Sequence, residues 1–382
     1  MIVQADRVVV RRAEAADNAA RCELFARVAM DTDIGLSVRR DPDFDALYRL
    51  QSSVWESVVV ERDGGVEGMG TVVVRDGYVG GRPTRVGYLG DLRLSRPVQG
   101  MMLLDRFFGG LLEDARDRLG CELFLTSVIA SNKRAVRALT AQTRRSRSAG
   151  RPVYTPLGEF DIRSLHLLLP RFGGRSPFVV RRAREADIPA LARMLDTDGR
   201  RRPFGFVLTE AELRRRLRDW PGLRIDSFLL AESPTGVLLG CLALWDAALV
   251  KRTMVTAYRG AMRHVRLAHD VAAALLGRAR LPAPGAGEPL RYQYVTHQTI
   301  PSGDPRVLRA LLEHGYRDAR SAGMGYHFLS ACAPRGSTLE AAFHGFTATN
   351  LAARLFVVSL PGVDVSDVAP PRAWPGFEMA LV

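Results

Sequence analysis

The chain has 382 residues, which is enough for two or three domains, and its 47% hydrophobic and 25% charged residues are ordinary for a soluble globular protein. The longest apolar run, Gly236 to Val250, contains Asp246 and is too short to span a membrane. The net charge is +13, and almost all of the basic residues are arginine. We interpret this charge as solvated faces of a basic protein, with an anionic partner as the alternative.

The cysteines and histidines give no sign of a metal site. Four widely spaced cysteines form no C-x-x-C pair, which indicates neither a zinc site nor a disulfide framework. The histidine spacings suggest no metal ligands either. Residues 1–12 lack the apolar core of a signal peptide. We therefore expect a cytoplasmic protein without a metal.

An internal repeat organises the chain. The segment Val9–Asp17 recurs as Val179–Asp187 with seven of nine positions identical. Each copy predicts a strand followed by an Asp that can cap the next helix. Two more matched blocks follow in the same order, Ser57–Val60 with Ser227–Leu230 and Asp114–Arg116 with Asp318–Arg320. The repeat predicts two copies of one fold, which we place at residues 1–170 and 171–382.

The second copy is the longer one. The offset between matched blocks grows from 170 to 204 residues, so this copy carries about 34 extra residues. We place them in Ala261–Leu290, where Met262–Leu276 predicts an amphipathic helix. The Gly- and Pro-rich segment Pro170–Pro177 is the predicted linker. The element order of each copy predicts an α/β (α+β) fold with a mixed sheet.

One stretch of the first copy predicts a strand, a turn and a helix. Tyr88–Leu94 is the strand, and Arg96-Pro97 ends it because proline disfavours helix in the residue before it. After Gly100, apolar residues recur at steps of three and four, which indicates one face of a helix. This arrangement presents backbone N–H groups to an anion.

The stretch resembles the central motif of the GNAT acyltransferase superfamily, in which the loop Gln/Arg-x-x-Gly-x-Gly/Ala opens a helix and holds the pyrophosphate of acetyl-CoA. Gln99 and Gly100 match this loop, whereas Met102 and Leu104 stand where the family has small residues. The element order resembles the GNAT fold twice over, and Val9–Asp17 looks like its opening signature. The resemblance implies two tandem GNAT-like domains, the second with a helical insertion.

The resemblance also implies a function. The first copy would bind acetyl-CoA or another acyl-CoA and transfer the acyl group to an unidentified small-molecule or peptide amine. The main chain of Leu92 and Leu94 would contact the pantetheine arm, and Asp91 is the candidate catalytic base. The other implied cofactor contacts are Gln99, Gly100, Met101 and Met102 at the pyrophosphate, and Asn132 at the start of the last helix. The tyrosine that usually serves as general acid is replaced by Leu139.

The second copy departs further from the pattern. We align Pro301 with Pro97, which places Gly303-Asp304 opposite Gln99-Gly100. A carboxylate near a phosphate is unfavourable, so we expect this copy to bind CoA poorly. Two other hypotheses stay open, a donor carried by a carrier protein or an aminoacyl-tRNA, and a non-catalytic sensor or scaffold. We expect neither DNA nor a membrane as partner, and RNA or a carrier protein as possible ones.

Overall fold

The structure is a computed structural model, which describes residues 3–5, 8–28, 30–31, 33–99, 103–140, 151–171, 176–323, 325–368 and 374–382. The strands are β1 (Val3–Ala5), β2 (Val8–Arg12), β3 (Met30–Asp31), β4 (Ile34–Arg39), β5 (Val54–Arg62), β6 (Gly65–Val79), β7 (Arg82–Leu94), β8 (Leu123–Ile129), β9 (Val153–His166), β10 (Val179–Arg182), β11 (Gly205–Phe206), β12 (Phe228–Glu232), β13 (Leu238–Trp245), β14 (Arg252–Tyr258), β15 (Pro289–Leu290), β16 (Tyr292–Thr299), β17 (Phe328–Pro334) and β18 (Ala348–Ser359). The α-helices are α1 (Asn18–Arg27), α2 (Ala46–Gln51), α3 (Leu103–Leu119), α4 (Lys133–Thr140), α5 (Ile188–Arg200), α6 (Glu210–Asp219), α7 (Met262–Leu275) and α8 (Pro305–Ser321).

A large mixed sheet runs through both halves of the chain. Its strand order is β1-β2-β5-β6-β7-β8-β18-β9-β17-β16-β13-β12-β10, and β11 pairs with β6. Neighbours are antiparallel except for β7 with β8 and β16 with β17, which are parallel. The predicted mixed α/β class is therefore confirmed.

The last strand of each half is exchanged. β9 precedes the predicted linker but pairs with β17 of the second half, whereas β18 of the second half pairs with β8 of the first. β9 and β18 also pair with each other over most of their length. The two halves thus share one continuous sheet, and the proposed boundary between residues 170 and 171 stays a prediction.

The same ion pairs recur in the two halves. Arg11 at the end of β2 contacts Asp17 at 2.7 Å and Glu61 at 3.0 Å. Asp17 stands at the N-cap position of α1, but its carboxylate accepts from Arg11 and from the backbone N–H of Glu14 rather than from the helix. Equivalent contacts in the second half join Arg181 to Asp187 and Glu232.

The hydrophobic core crosses the boundary between the halves. Leu47 and Leu50 of α2 pack in one buried cluster with Trp220 and Trp245 of the second half. The same cluster contains residues 379–381, so the last described segment lies inside the molecule. A small second sheet, β15-β14-β4-β3, also joins the halves.

The predicted insertion helix is present as α7, directly after β14. Its exposed apolar side chains include Val271 and Leu275. In the described part of the chain, no helix combines the length and the apolar character that crossing a membrane requires.

Candidate functional site

Each half contains two parallel neighbouring strands that stop pairing before they end. β7 and β8 pair only at Gly87 with Phe124 and at Tyr88 with Leu125, although β7 continues to Leu94. β16 and β17 pair at three positions and then likewise stop. We call the opening between β7 and β8 the first gap, and that between β16 and β17 the second gap. Both open at the carboxyl ends of parallel strands, where α/β folds commonly bind ligands.

A β-bulge marks the start of each gap. In β7, Gly90 pairs with Thr71 and Arg93 with Met69, so two residues lie opposite one. Asp91 lies in this bulge with a φ of 56°, a left-handed conformation that Asp adopts more readily than most residues. A bulge redirects the side chain that it carries, which here turns Asp91 toward the interior.

The bulge of the second half carries His297, with a φ of 51°. In β16, Thr296 pairs with Ala243 and Thr299 pairs with Cys241, which repeats the arrangement of β7. The offset of 204 residues between the copies points from Asp91 to position 295, whereas the bulge of the second half lies two residues further along, at His297. The physical reason is that the pairing of β16 with β13 fixes the position of the bulge, and a comparison of the two sequences does not show this pairing.

Asp91 lies in a buried polar cluster. Arg40 contacts both of its carboxylate oxygens, at 2.8 and 3.1 Å, and the two side chains are only 2% and 10% exposed. The Tyr48 hydroxyl donates to the same carboxylate and also lies 3.0 Å from the Thr71 hydroxyl. The Arg40 guanidinium also lies 4.8 Å from the centre of the Phe25 ring. Asp91 therefore has every carboxylate oxygen occupied.

These partners set the protonation of Asp91. Burial by itself raises the pKa of Asp91, but the charge of Arg40 and the hydrogen bond from Tyr48 outweigh it, so the pKa lies below its usual value. The carboxylate is consequently ionised at neutral pH, and a proton placed on it would disrupt its pair with Arg40. Asp91 is thus in the right form to accept a proton but has a low affinity for one.

Lys251 lies close to this cluster. It is buried, and its Nζ donates to the backbone oxygen of Val382 at 2.7 Å. Burial, followed by the charge of Arg40, lowers the pKa of Lys251 to about 7. Sequence reasoning missed Arg40, Tyr48 and Lys251 because each is distant from Asp91 in the chain. The one available signal was that Lys251 is one of only two lysines among 54 basic residues.

The predicted donor contacts lie at the same edge of the sheet. Leu92 and Leu94 lie on β7 beyond the residues that pair with β8, and their side chains pack against the core of the first half. Gln99 is exposed, and its side-chain amide donates to the Leu94 carbonyl at 2.8 Å. Asn132 follows β8, and its side-chain oxygen accepts from the Ala135 N–H at 3.0 Å, which caps α4.

Three of the predicted contacts, Gly100, Met101 and Met102, lie outside the described residues. They connect Gln99 to α3, which begins at Leu103. Because β7 and β8 are parallel, Gln99 and Asn132 both follow strands that end at the first gap. Leu139, in place of the usual tyrosine, is half-buried on α4.

The equivalent helix start in the second half is already occupied by a carboxylate. The Asp304 side chain accepts from the Arg306 N–H at 2.8 Å, which caps α8, and pairs with the Arg306 guanidinium. Thr338 donates to the Gly303 carbonyl at 2.8 Å and so joins this turn to the segment that follows β17. A helix N-terminus capped in this way is poorly suited to a phosphate group.

A cavity of about 290 Å³ lies at the second gap. Its walls come from α5, β11, β16, β17 and residues 374–378. Glu378 reaches the bulge, where its carboxylate accepts from the His297 N–H at 3.0 Å. Arg216 donates to Nε2 of His297 at 3.1 Å, which places the imidazole proton on Nδ1 beside Thr296. Burial, followed by the charge of Arg216, holds the pKa of His297 well below its usual value.

Comparison with known proteins identifies related folds. No family model and no curated protein matches the chain. A GCN5-related N-acetyltransferase from Sphaerobacter thermophilus is 16% identical with a TM-score of 0.58, and the match covers 95% of this chain and 99% of that one. An N-myristoyltransferase from Saccharomyces cerevisiae, solved with bound myristoyl-CoA, is 10% identical with a TM-score of 0.60, and the match covers 94% and 84%. At these identities the likeness concerns the fold, and it extends over nearly the whole chain.

Proposed function

Because the chain has the fold of GCN5-related N-acetyltransferases and of N-myristoyltransferases, we propose that it is an N-acyltransferase that uses an acyl-CoA donor. The observation that carries the proposal is the first gap, where β7 continues past its last pair with β8 and is followed in the chain by α3. The yeast protein of the same fold was solved with bound myristoyl-CoA, which supports an acyl-CoA as the donor class. Acetyl-CoA is the donor we propose, and the acceptor is an amine.

The first half offers suitable groups for such a donor. Beyond the bulge, main-chain groups of Leu92 and Leu94 would pair with the amide groups of the pantetheine arm, as an added strand pairs with a sheet edge. The start of α3 would attract the pyrophosphate, with Gln99, Gly100, Met101 and Met102 around it. Asn132 would contact the cofactor from the other side of the gap.

Acyl transfer also needs a base. The amine nitrogen attacks the thioester carbonyl carbon, the carbonyl oxygen becomes an oxyanion, and the intermediate expels the CoA thiolate. The attacking nitrogen must lose a proton, and the thiolate must gain one. Asp91 is the proposed base because it is ionised and lies at the bulge. Lys251 is the alternative, since a pKa of about 7 matches neutral pH better than the lowered pKa of Asp91.

A non-catalytic sensor is the second candidate. Two observations favour it, because Asp91 is fully occupied by Arg40 and Tyr48, and Leu139 cannot donate a proton. Such a protein would bind acyl-CoA without releasing free CoA. Assays of binding and of thiol release, made on the same preparation, separate the two.

The test is thermal unfolding with and without acetyl-CoA, on the wild type and on Gly100→Asp, followed by thiol release with a panel of amines. Acetyl-CoA at 100 times its dissociation constant should stabilise the wild type by about 2.7 kcal/mol. This stabilisation should vanish in Gly100→Asp, because the added carboxylate repels the pyrophosphate. Gly323→Asp is the matched control, since it adds the same charge at an open position after α8.

Stabilisation that survives in Gly100→Asp would contradict donor binding in the first half. Absence of stabilisation in every protein would contradict a free acyl-CoA donor. The same assay would then be repeated with acyl carrier protein and with aminoacyl-tRNA, whose binding should weaken steeply with salt.

A further inference from the structure

The cavity at the second gap has a positively charged wall. Phe206 of β11 lies between two guanidiniums, with Arg75 at 3.6 Å and Arg216 at 4.9 Å from the centre of its ring. Arg75 donates to backbone carbonyls, including that of Phe204 at 2.7 Å, and pairs with no carboxylate of the described residues. Burial, followed by repulsion from Arg216, lowers the pKa of Arg75 to about 9. Two cations are therefore held together with little to neutralise them.

The carboxylates of Glu212 and Asp198 near this wall already have arginine partners. Glu212 contacts Arg216 at 3.1 Å but also contacts Arg215 at 2.7 Å, so one negative charge serves two arginines. Asp198 pairs with Arg202. Arg75 contacts the Phe206 ring but does not itself line the cavity, so an anion beside Arg216 would offset the joint charge of the two arginines.

Glu378 is the remaining acidic group of the cavity. Its carboxylate accepts from the backbone N–H groups of His297 at 3.0 Å and Ala380 at 3.4 Å. It forms no ion pair with Arg216 among the described contacts, and burial raises its pKa above the usual value. Glu378 thus holds the segment 374–382 in place, and its charge acts on Arg216 only at a distance, without an ion pair among the described contacts.

A side-chain amide in the cavity also lacks a partner. The Oε1 atom of Gln298, the residue after the bulge, is buried and accepts no hydrogen bond. A buried polar atom without a partner is costly, so it indicates a group that a ligand would satisfy. Because the two ends of an amide exchange by rotation, Gln298 can offer a donor as well as an acceptor to that ligand.

Another part of the cavity wall is apolar. Val295, Ile300, Leu339 and Phe377 contribute to its walls. Asp304 caps the adjacent helix α8, as described above. The volume of about 290 Å³ is at the lower end of the range for small-molecule sites. These features suit a small molecule with an apolar body and one anionic end.

We propose that this cavity binds a small carboxylate with an apolar body, with its carboxylate held by Arg216 and Gln298 and its body against Phe206 and Phe377. Guanidinium and amide N–H groups together match the two oxygens of a carboxylate. This site is separate from the proposed donor site, and its occupation does not depend on acyl transfer.

The experiment is calorimetric titration of the full chain with phenylacetate and with phenylacetamide, its neutral counterpart, in the absence of any acyl donor. The carboxylate should bind about tenfold more tightly than the amide, because a hydrogen-bonded charge is lost in the amide. Arg216→Met should remove this preference, and Gln298→Leu should weaken phenylacetate binding severalfold. Arg218→Met, on the exposed face of the same helix, should change nothing.

Equal affinity for the two probes, or no binding of either at millimolar concentration, would overturn the proposal. The comparison of carboxylate with amide uses wild-type protein, so it holds even if Arg216→Met does not fold. Phenylalanine, which carries an amine in addition to the carboxylate and the phenyl ring, distinguishes two roles of the ligand. Acylated phenylalanine formed from acetyl-CoA would make the carboxylate an acceptor substrate, whereas binding without product would make it an effector.

Discussion

Replacing Arg40 with methionine should destabilise the protein strongly, because the change leaves Asp91 charged and buried without its partner. Removing one member of a buried ion pair costs about 3–5 kcal/mol. Asp91 is 10% exposed and Arg40 is 2% exposed, so water cannot replace the lost contact. The matched control is Arg12→Met, whose pair with Asp114 at 2.8 Å is 44% and 34% exposed. That change should cost less than about 1 kcal/mol.

The pH dependence gives a sharper test of the same reasoning. In the wild type the pKa of Asp91 is lowered, so its contribution to stability is present above the ordinary value of 3.8 and is lost as the pH falls through the lower pKa of the folded state. In Arg40→Met the hydrogen bond from Tyr48 remains, but the charge of Arg40, the largest effect that opposes burial, is lost, so the pKa of Asp91 rises. The deficit of the variant should therefore shrink as the pH falls from neutral toward 5, since protonation removes the buried charge.

The assay is urea denaturation followed by tryptophan fluorescence, at several pH values, on the wild type, both single variants and Arg40→Met with Asp91→Asn. The double variant should recover part of the loss, because its buried site no longer carries a charge. A cost below about 1 kcal/mol for Arg40→Met, or a deficit that does not change with pH, would refute the buried-pair interpretation.

Three further outcomes follow from features described above. Lys251 has a pKa of about 7 in the folded protein against an ordinary 10.5, so between these pH values the unfolded state binds more protons than the folded state. The free energy of unfolding should therefore rise with pH in this range, by up to about 1.4 kcal/mol per pH unit. Lys251→Met should abolish this slope in pH-dependent denaturation. Gly87→Ala should cost about 1–3 kcal/mol in the same assay, since a Cβ there would lie 2.2 Å from the Phe124 ring, whereas Gly158→Ala, with open space around it, should cost less. With the chain divided after residue 170, each half expressed alone should be insoluble or unfolded, because each lacks the strand that the other half contributes to its sheet. The two halves should copurify when they are coexpressed. A first half that is folded and monomeric by itself would contradict this.

Local patterns in the sequence predicted the fold well. The recurrence of Val9–Asp17 as Val179–Asp187 corresponds to matching strands that carry matching ion pairs. The stretch after Gly87 contains the predicted strand, turn and helix. These features depend on neighbouring residues, so their periodicity and turn chemistry are visible in the sequence.

Long-range features could not be predicted in this way. Nothing near Asp91 in the sequence indicates Arg40, which approaches it only because β4 and β7 fold together. The contact of Glu378 with the His297 bulge depends on a segment far along the chain. The correspondence of His297 with Asp91, which departs by two residues from the offset of 204, has the same origin, since strand pairing positions the bulge.

The exchange of terminal strands has a consequence for synthesis on the ribosome. β8 ends at Ile129, but the strand that covers its outer edge, β18, begins only at Ala348. At roughly 5–20 residues per second, the ribosome needs on the order of ten to forty seconds to make the intervening chain. During that interval the first half has an open sheet edge of the kind that pairs readily with other chains. The wall of the proposed donor gap is therefore completed only after β18 has been made, and chaperones that cover exposed strands can act during the interval.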